Sequence, residues 1–190
     1  MNKKTSLNIH AVIPCSRING PGKRLVVFFQ GCDRDCAGCF NPATHSFETA
    51  ALYSTDEVFE RHLAPGVEGL TISGGEPFLQ TEGLAELLKI AKERRNLTTI
   101  VYTGFTLEEL QKKTSSAEAL KYTDVLIDGP FVESKKEMTL LARGSSNQTF
   151  HFLSNAYAIQ DFHMPGKIEI NIGKDGVVIE TGFGVLRTAQ

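Results

Sequence analysis

Three of the four cysteines in this 190-residue chain, Cys32, Cys36 and Cys39, fall within eight consecutive positions in the pattern C-x3-C-x2-C. Short spacings let three thiolates converge on one centre, and Gly31 and Gly38 permit the tight backbone that convergence needs. Thiolates suit zinc or an iron–sulfur cluster. A structural zinc site takes four protein ligands, and only His45 lies close enough in sequence to be the fourth. Iron–sulfur clusters also usually take four cysteines. A cluster held by three leaves one iron open, as catalytic metal sites do where a substrate must bind. The ligand count therefore favours a catalytic cluster and keeps zinc as the alternative. Cys15 stands apart and reads as a small apolar packing residue.

A second group of residues with chemical potential is Ser73-Gly74-Gly75-Glu76-Pro77. Its glycines let the backbone approach a ligand closely, and free carbonyls with Glu76 suit an ammonium group. Further along are Tyr102-Thr103-Gly104-Phe105, and Asp128 before Gly129-Pro130. All three stretches follow apolar runs of strand length bounded by turn signals, at 70–73, 98–102 and 124–128. A fourth such run, 25–29, precedes the cysteines. Helical patterns lie between them. One opens at Thr55 and runs to about Leu63; a second spans Gly83 to Arg95 with Leu84, Leu87, Leu88 and Ala91 on one face. A third starts with the capping box Thr106 to Glu109 and fades by Thr114. Alternating strands and helices predict an α/β fold with a mostly parallel sheet. About four or five crossover strands are too few to close an eight-stranded barrel, so an open, partial barrel is expected. Ligands bind beyond the carboxyl ends of such strands, where all these motifs fall. The alternation 167–172, the turn Lys174-Asp175-Gly176 and the run 177–180 predict a terminal hairpin over about 165–182.

Length and composition predict one domain over 1–190. Twenty basic residues against 22 acidic ones, and a net charge of −2, exclude a phosphate-gripping nucleic-acid binder or a polybasic membrane-surface protein. No apolar run approaches the roughly 20 residues of a membrane span. The stretch after Lys3 and Lys4 is broken by Asn8 and His10 and lacks a secretory apolar region, so a cytoplasmic protein is expected.

The three-cysteine pattern followed by Phe40, with Gly74-Gly75-Glu76-Pro77 some thirty residues on, resembles the radical S-adenosylmethionine superfamily. The resemblance implies a [4Fe–4S] cluster on Cys32, Cys36 and Cys39, its open iron chelated by the amino and carboxylate groups of S-adenosylmethionine. One-electron reduction then cleaves the sulfonium to methionine and a 5′-deoxyadenosyl radical. It also implies a cofactor site that includes Gly38, Cys39, Phe40, Gly74, Gly75, Glu76 and Thr103. Asp128, by analogy with other nucleotide folds, would bond a ribose hydroxyl.

Two further stretches resemble the activators of glycyl-radical enzymes, and the resemblance covers a core of about 15–154. Asn19-Gly20-Pro21-Gly22-Lys23-Arg24 is similar to their N/D-G-P-G-x-R segment. Arg143-Gly144-Ser145-Ser146-Asn147-Gln148 followed by His151 resembles a run in the activators of anaerobic ribonucleoside-triphosphate reductase. Arg143 is then expected to meet a carboxylate of cofactor or partner. The implied partners are a glycyl-radical enzyme, anaerobic ribonucleotide reductase above all, and an electron donor such as flavodoxin or ferredoxin. The alternatives are a small-molecule enzyme of the 7-carboxy-7-deazaguanine synthase type and, from another class, a non-catalytic zinc-binding interaction module. A peptide maturase would carry cysteine-rich auxiliary domains, for which the chain has only Cys15 left.

Overall fold

The computed structural model describes residues 5–139, 141–163, 168–172, 176 and 178–182. Its centre is a run of hydrogen-bonded parallel strands, β2 (Arg24–Phe29), β4 (Gly69–Gly74), β5 (Thr98–Tyr102) and β6 (Val125–Asp128). Antiparallel strands extend it on both sides: β1 (Ser6–Ser16) and β3 (Ala51–Ser54) beyond β2, and β7 (Thr149–Phe152) beyond β6. The result is an open seven-stranded mixed sheet in the order β3-β1-β2-β4-β5-β6-β7. Four parallel strands, at the low end of the expected number, are joined by crossovers containing α1 (Thr55–His62), α2 (Thr81–Glu93), and the short α3 (Leu107–Gln111) and α4 (Ala117–Lys121).

Strand parity divides the side chains between two faces. Leu25, Val27, Phe29, Leu70, Ile72, Val101 and Leu126 pack with the leucines of α2 in the main core. The intervening Ile100, Val125 and Ile127 turn to the opposite face, where Ala142 and Phe162 cover them. Helix α1 starts at Thr55, as the sequence suggested, and ends at His62. Ser54 is its N-cap, and Ser54 and Glu57 form a reciprocal capping box; the box of Thr106 and Glu109 forms as expected on α3, which ends at Gln111.

Strand β1 goes beyond the sequence expectation, because Asn8 and His10 interrupt its apolar positions. Leu7 and Ile9 point into the main core, and a register shift between Ile9 and Ala11 then reverses the parity, so that Ile13 packs with Val26 and Phe28. A second irregularity, between Ile13 and Ser16, turns Cys15 outward. Cys15 is exposed, contrary to the packing role expected of it. The terminal hairpin is present as β8 (Ile168–Ile172) paired antiparallel with β9 (Val178–Gly182). Lys167, Lys174, Asp175 and Val177, which the sequence reading also placed there, lie outside the described residues. Among the described residues no helix is long and apolar enough to cross a membrane.

Candidate iron–sulfur and cofactor site

The loops that leave β2, β4 and β5 enclose a cavity of about 390 Å³. Its lining brings together Cys32, Cys36, Cys39 and Phe40 from the first loop, Ser73, Gly74, Gly75 and Glu76 from the second, and Tyr102, Thr103 and Gly104 from the third. The cysteine loop is pinned at its ends by Gly31 N donating to Thr44 O at 2.8 Å and Cys32 N to His45 O at 3.2 Å. Inside it the chain turns tightly, with Cys39 N donating to Cys36 O at 3.1 Å and with positive φ at Asp35 and Gly38. All three thiols are half-buried and free of disulfides. Burial raises the pKa of Cys32 and Cys39, against backbone N–H donors from Arg34 and Asn41 that favour the thiolate.

The adjacent glycine loop is joined to this one by backbone bonds. Gly75 N donates to Phe29 O and Glu76 N to Gly31 O, both at 2.8 Å. This is why residues 74 and 75 are glycine: a Cβ on Gly74 would stand 2.4 Å from Phe29 N, and one on Gly75 2.2 Å from Gly31 O. The glycines line the cavity as expected, but what approaches their missing side chains is the neighbouring backbone. Glu76 is likewise a tie between loops. Its carboxylate accepts from Phe78 N at 3.0 Å, Thr103 Oγ1 at 2.8 Å and Gly104 N at 2.7 Å. Burial raises its pKa, opposed by those three bonds.

Three expected site residues, Gly38, Asp128 and Arg143, stay outside the cavity lining; Gly38 makes the turn inside the cysteine loop, where a Cβ would meet the Glu133 carboxylate. On β6 the odd positions Val125 and Ile127 face the helix-free side, so Asp128 falls with Leu126 on the other. There its Oδ2 accepts from Leu107 N, at the start of α3, and lies 2.9 Å from His151 Nε2. Arg143 donates from Nε to Glu137 Oε2 and from a terminal nitrogen to Gln148 O. The carboxylate it meets is therefore internal, and that carboxyl is lowered to about 2 by its bonds to Thr139 and Arg143. The rest of the run 143–148 does reach the site. Gly144 and Gln148 line the cavity, and Gln148 bridges Gly129 O to the N–H groups of Gly144 and Ser145.

Phe131 is a lining residue that the sequence reading passed over. Its ring lies 4.9 Å from that of Phe40, and a Cβ on Gly144 would meet both rings at 3.1 Å. An aromatic residue just beyond a strand end facing a glycine was the only available signal. Arg34, also in the lining, stacks its guanidinium 3.7 Å above the Phe105 ring. His45 lines the cavity too, but among the described residues no three cysteine, histidine or carboxylate side chains stand close enough to share a single ion. A mononuclear zinc at about 2.3 Å from each sulfur needs that convergence. A cubane takes each thiolate on a separate iron, and three free, half-buried thiols lining one cavity fit that demand.

An α/β sheet with a three-thiolate loop and a glycine loop at the carboxyl ends of adjacent parallel strands defines an iron–sulfur protein with room for a ligand. Residues 18–151 match the family model of the 4Fe-4S single cluster domain. The anaerobic ribonucleoside-triphosphate reductase-activating protein of Haemophilus influenzae is 35% identical over 155 residues, covering 76% of this chain and 97% of that protein. The protein of that name from Escherichia coli K12 is 31% identical over 156 residues, covering 77% and 99%. Its counterpart from Enterobacteria phage T4 is 35% identical over 148 residues, covering 75% and 92%. The chain belongs to this family of 4Fe-4S reductase-activating proteins. The zinc-module alternative is thereby set aside.

Proposed function

We propose that this chain is a radical S-adenosylmethionine activase, that its open sheet is the partial barrel of that superfamily, and that it generates a glycyl radical on anaerobic ribonucleoside-triphosphate reductase. The observation that carries the reading is the gathering of Cys32, Cys36, Cys39, the glycine loop and Thr103 around one cavity at the strand ends. In this reading the three cysteines hold the [4Fe–4S] cluster, while Gly38, Phe40, Gly74, Gly75, Glu76 and Thr103 shape the place of S-adenosylmethionine. The cavity volume is in the range of small-ligand sites. Glu76 has three of its roughly four lone-pair sites filled by protein donors, which leaves one for the ligand's ammonium. Asp128 and Arg143 act as positioning residues, the first by fixing the start of α3 and the second by holding the run 143–148 against the rim.

When bound, the reduced cluster and S-adenosylmethionine supply a 5′-deoxyadenosyl radical for removal of a hydrogen atom from a glycine Cα. The residues of this chain keep the ligand oriented and water out: the Phe40 and Phe131 rings cover one part of the rim, and the Glu76 tie holds two loops at fixed separation. An electron donor such as flavodoxin or ferredoxin completes the system.

The test is to mix reconstituted protein, dithionite and S-adenosylmethionine with the reductase under anaerobic conditions. An electron paramagnetic resonance signal of a glycyl radical on the reductase is expected. Consumption of S-adenosylmethionine with no radical on the reductase would overturn the activase reading in favour of the small-molecule class.

A further inference from the structure

Glu169 of β8 and Thr181 of β9 are opposite each other in the hairpin ladder, which places both side chains on one face. That face is bonded to the body of the molecule. Arg17 N donates to Glu169 Oε1 at 2.8 Å, and Thr181 Oγ1 donates to Asn19 Oδ1 at 3.0 Å. Asn19 and Thr181 both line the cavity that holds the three cysteines. Strand alternation then turns Ile170 and Ile172 to the other face, where they are 52% and 72% exposed. A surface hairpin normally buries its apolar side. This one bonds through polar groups and leaves isoleucines in solvent, beyond the end of the 4Fe-4S family match at residue 151.

We infer that the β8–β9 hairpin is a docking element for the glycyl-radical partner, with Ile170 and Ile172 as its apolar anchors and Thr181 at the rim where the partner's glycine segment enters. This rests on the function proposed above. A substrate glycine belongs to the backbone of a large protein, so the chain that carries it must cross the cavity rim. One stretch of that rim is the hairpin itself, so a segment entering beside Thr181 has the Ile170 and Ile172 face within reach. A second copy of this chain is a poorer occupant. Stable pairs bury about 1,200–2,000 Å², far more than two isoleucines offer, whereas a partner already engaged at the cavity needs only a supplementary contact.

The test uses the full chain, reconstituted with its cluster, carrying Ile170→Glu and Ile172→Glu together. Neither side chain touches the cavity, so iron content and S-adenosylmethionine cleavage without reductase should match wild type. The reductase concentration that half-saturates glycyl radical formation should rise about tenfold or more, and affinity measured by anaerobic sedimentation should fall in parallel. Leucine at both positions should restore both. Unchanged reductase affinity in the glutamate variant overturns the inference, as does loss of self-association with reductase affinity intact, which would make the face a contact between copies. If the wild-type protein forms no glycyl radical on the reductase, the functional reading itself falls and this inference with it.

Discussion

Gly75 illustrates how a residue can be read correctly in place and differently in cause. Its position in a ligand-facing loop was legible, but the need for glycine comes from the Gly31 carbonyl, 2.2 Å from where a Cβ would stand. Gly75→Val should therefore displace the cysteine loop and lower retained iron along with S-adenosylmethionine binding, measured as iron per chain after desalting; full iron retention would count against the account of this loop. The gathering of the three cysteines at one cavity was legible, because a ligand loop dictates residue type and spacing together. Asp128 and Arg143 were not, since the parity of a strand and the presence of Glu137 decide where those side chains go. The Glu137 carboxyl, lowered to about 2 from an ordinary value near 4.5, stabilises the fold above pH 4.5, and that contribution is lost as the pH falls toward 2. The melting temperature of metal-free protein should fall between pH 5 and pH 3, and less steeply in Glu137→Gln.

At the scale of elements, Arg24 explains what the run 19–24 does. Its guanidinium is fully buried at the start of β2 and bonds Thr71 Oγ1, Pro21 O, Leu70 O, Thr98 and the Tyr157 hydroxyl. It joins the turn, two parallel strands and the 157 loop across the helix-free face of the sheet. Burial lowers its pKa, and neutral acceptors rather than a carboxylate hold the charge. Arg24→Met would leave those acceptors without a donor and cost about 3 kcal/mol or more. A drop of roughly 6–12 °C in melting temperature is expected for a domain of this size. The four parallel strands and the longer helices were legible from apolar runs and caps. Strand β1 was not, because Asn8 and His10 are the outward positions of an alternating strand and read as interruptions when only continuous runs are sought. Strands β3 and β7 are short edge strands whose pairing is fixed by neighbours distant in sequence.

For the whole molecule, the open edge of the cavity matters as much as its lining. The sheet remains unclosed, with β3 and β7 at its two ends; the loops at the strand ends line the cavity that contains the cysteines, and the hairpin reaches that lining through Thr181. An opening of this kind suits a substrate that arrives as part of another protein. The central claim is that the cavity holds a cluster with one iron left for S-adenosylmethionine. Electron paramagnetic resonance of the anaerobically reconstituted, reduced protein, recorded before and after addition of S-adenosylmethionine, tests it most directly. A [4Fe–4S] signal that changes on addition, and that is lost in Cys36→Ala, is the predicted result; a signal indifferent to S-adenosylmethionine, or a protein that retains zinc and no iron, would contradict it.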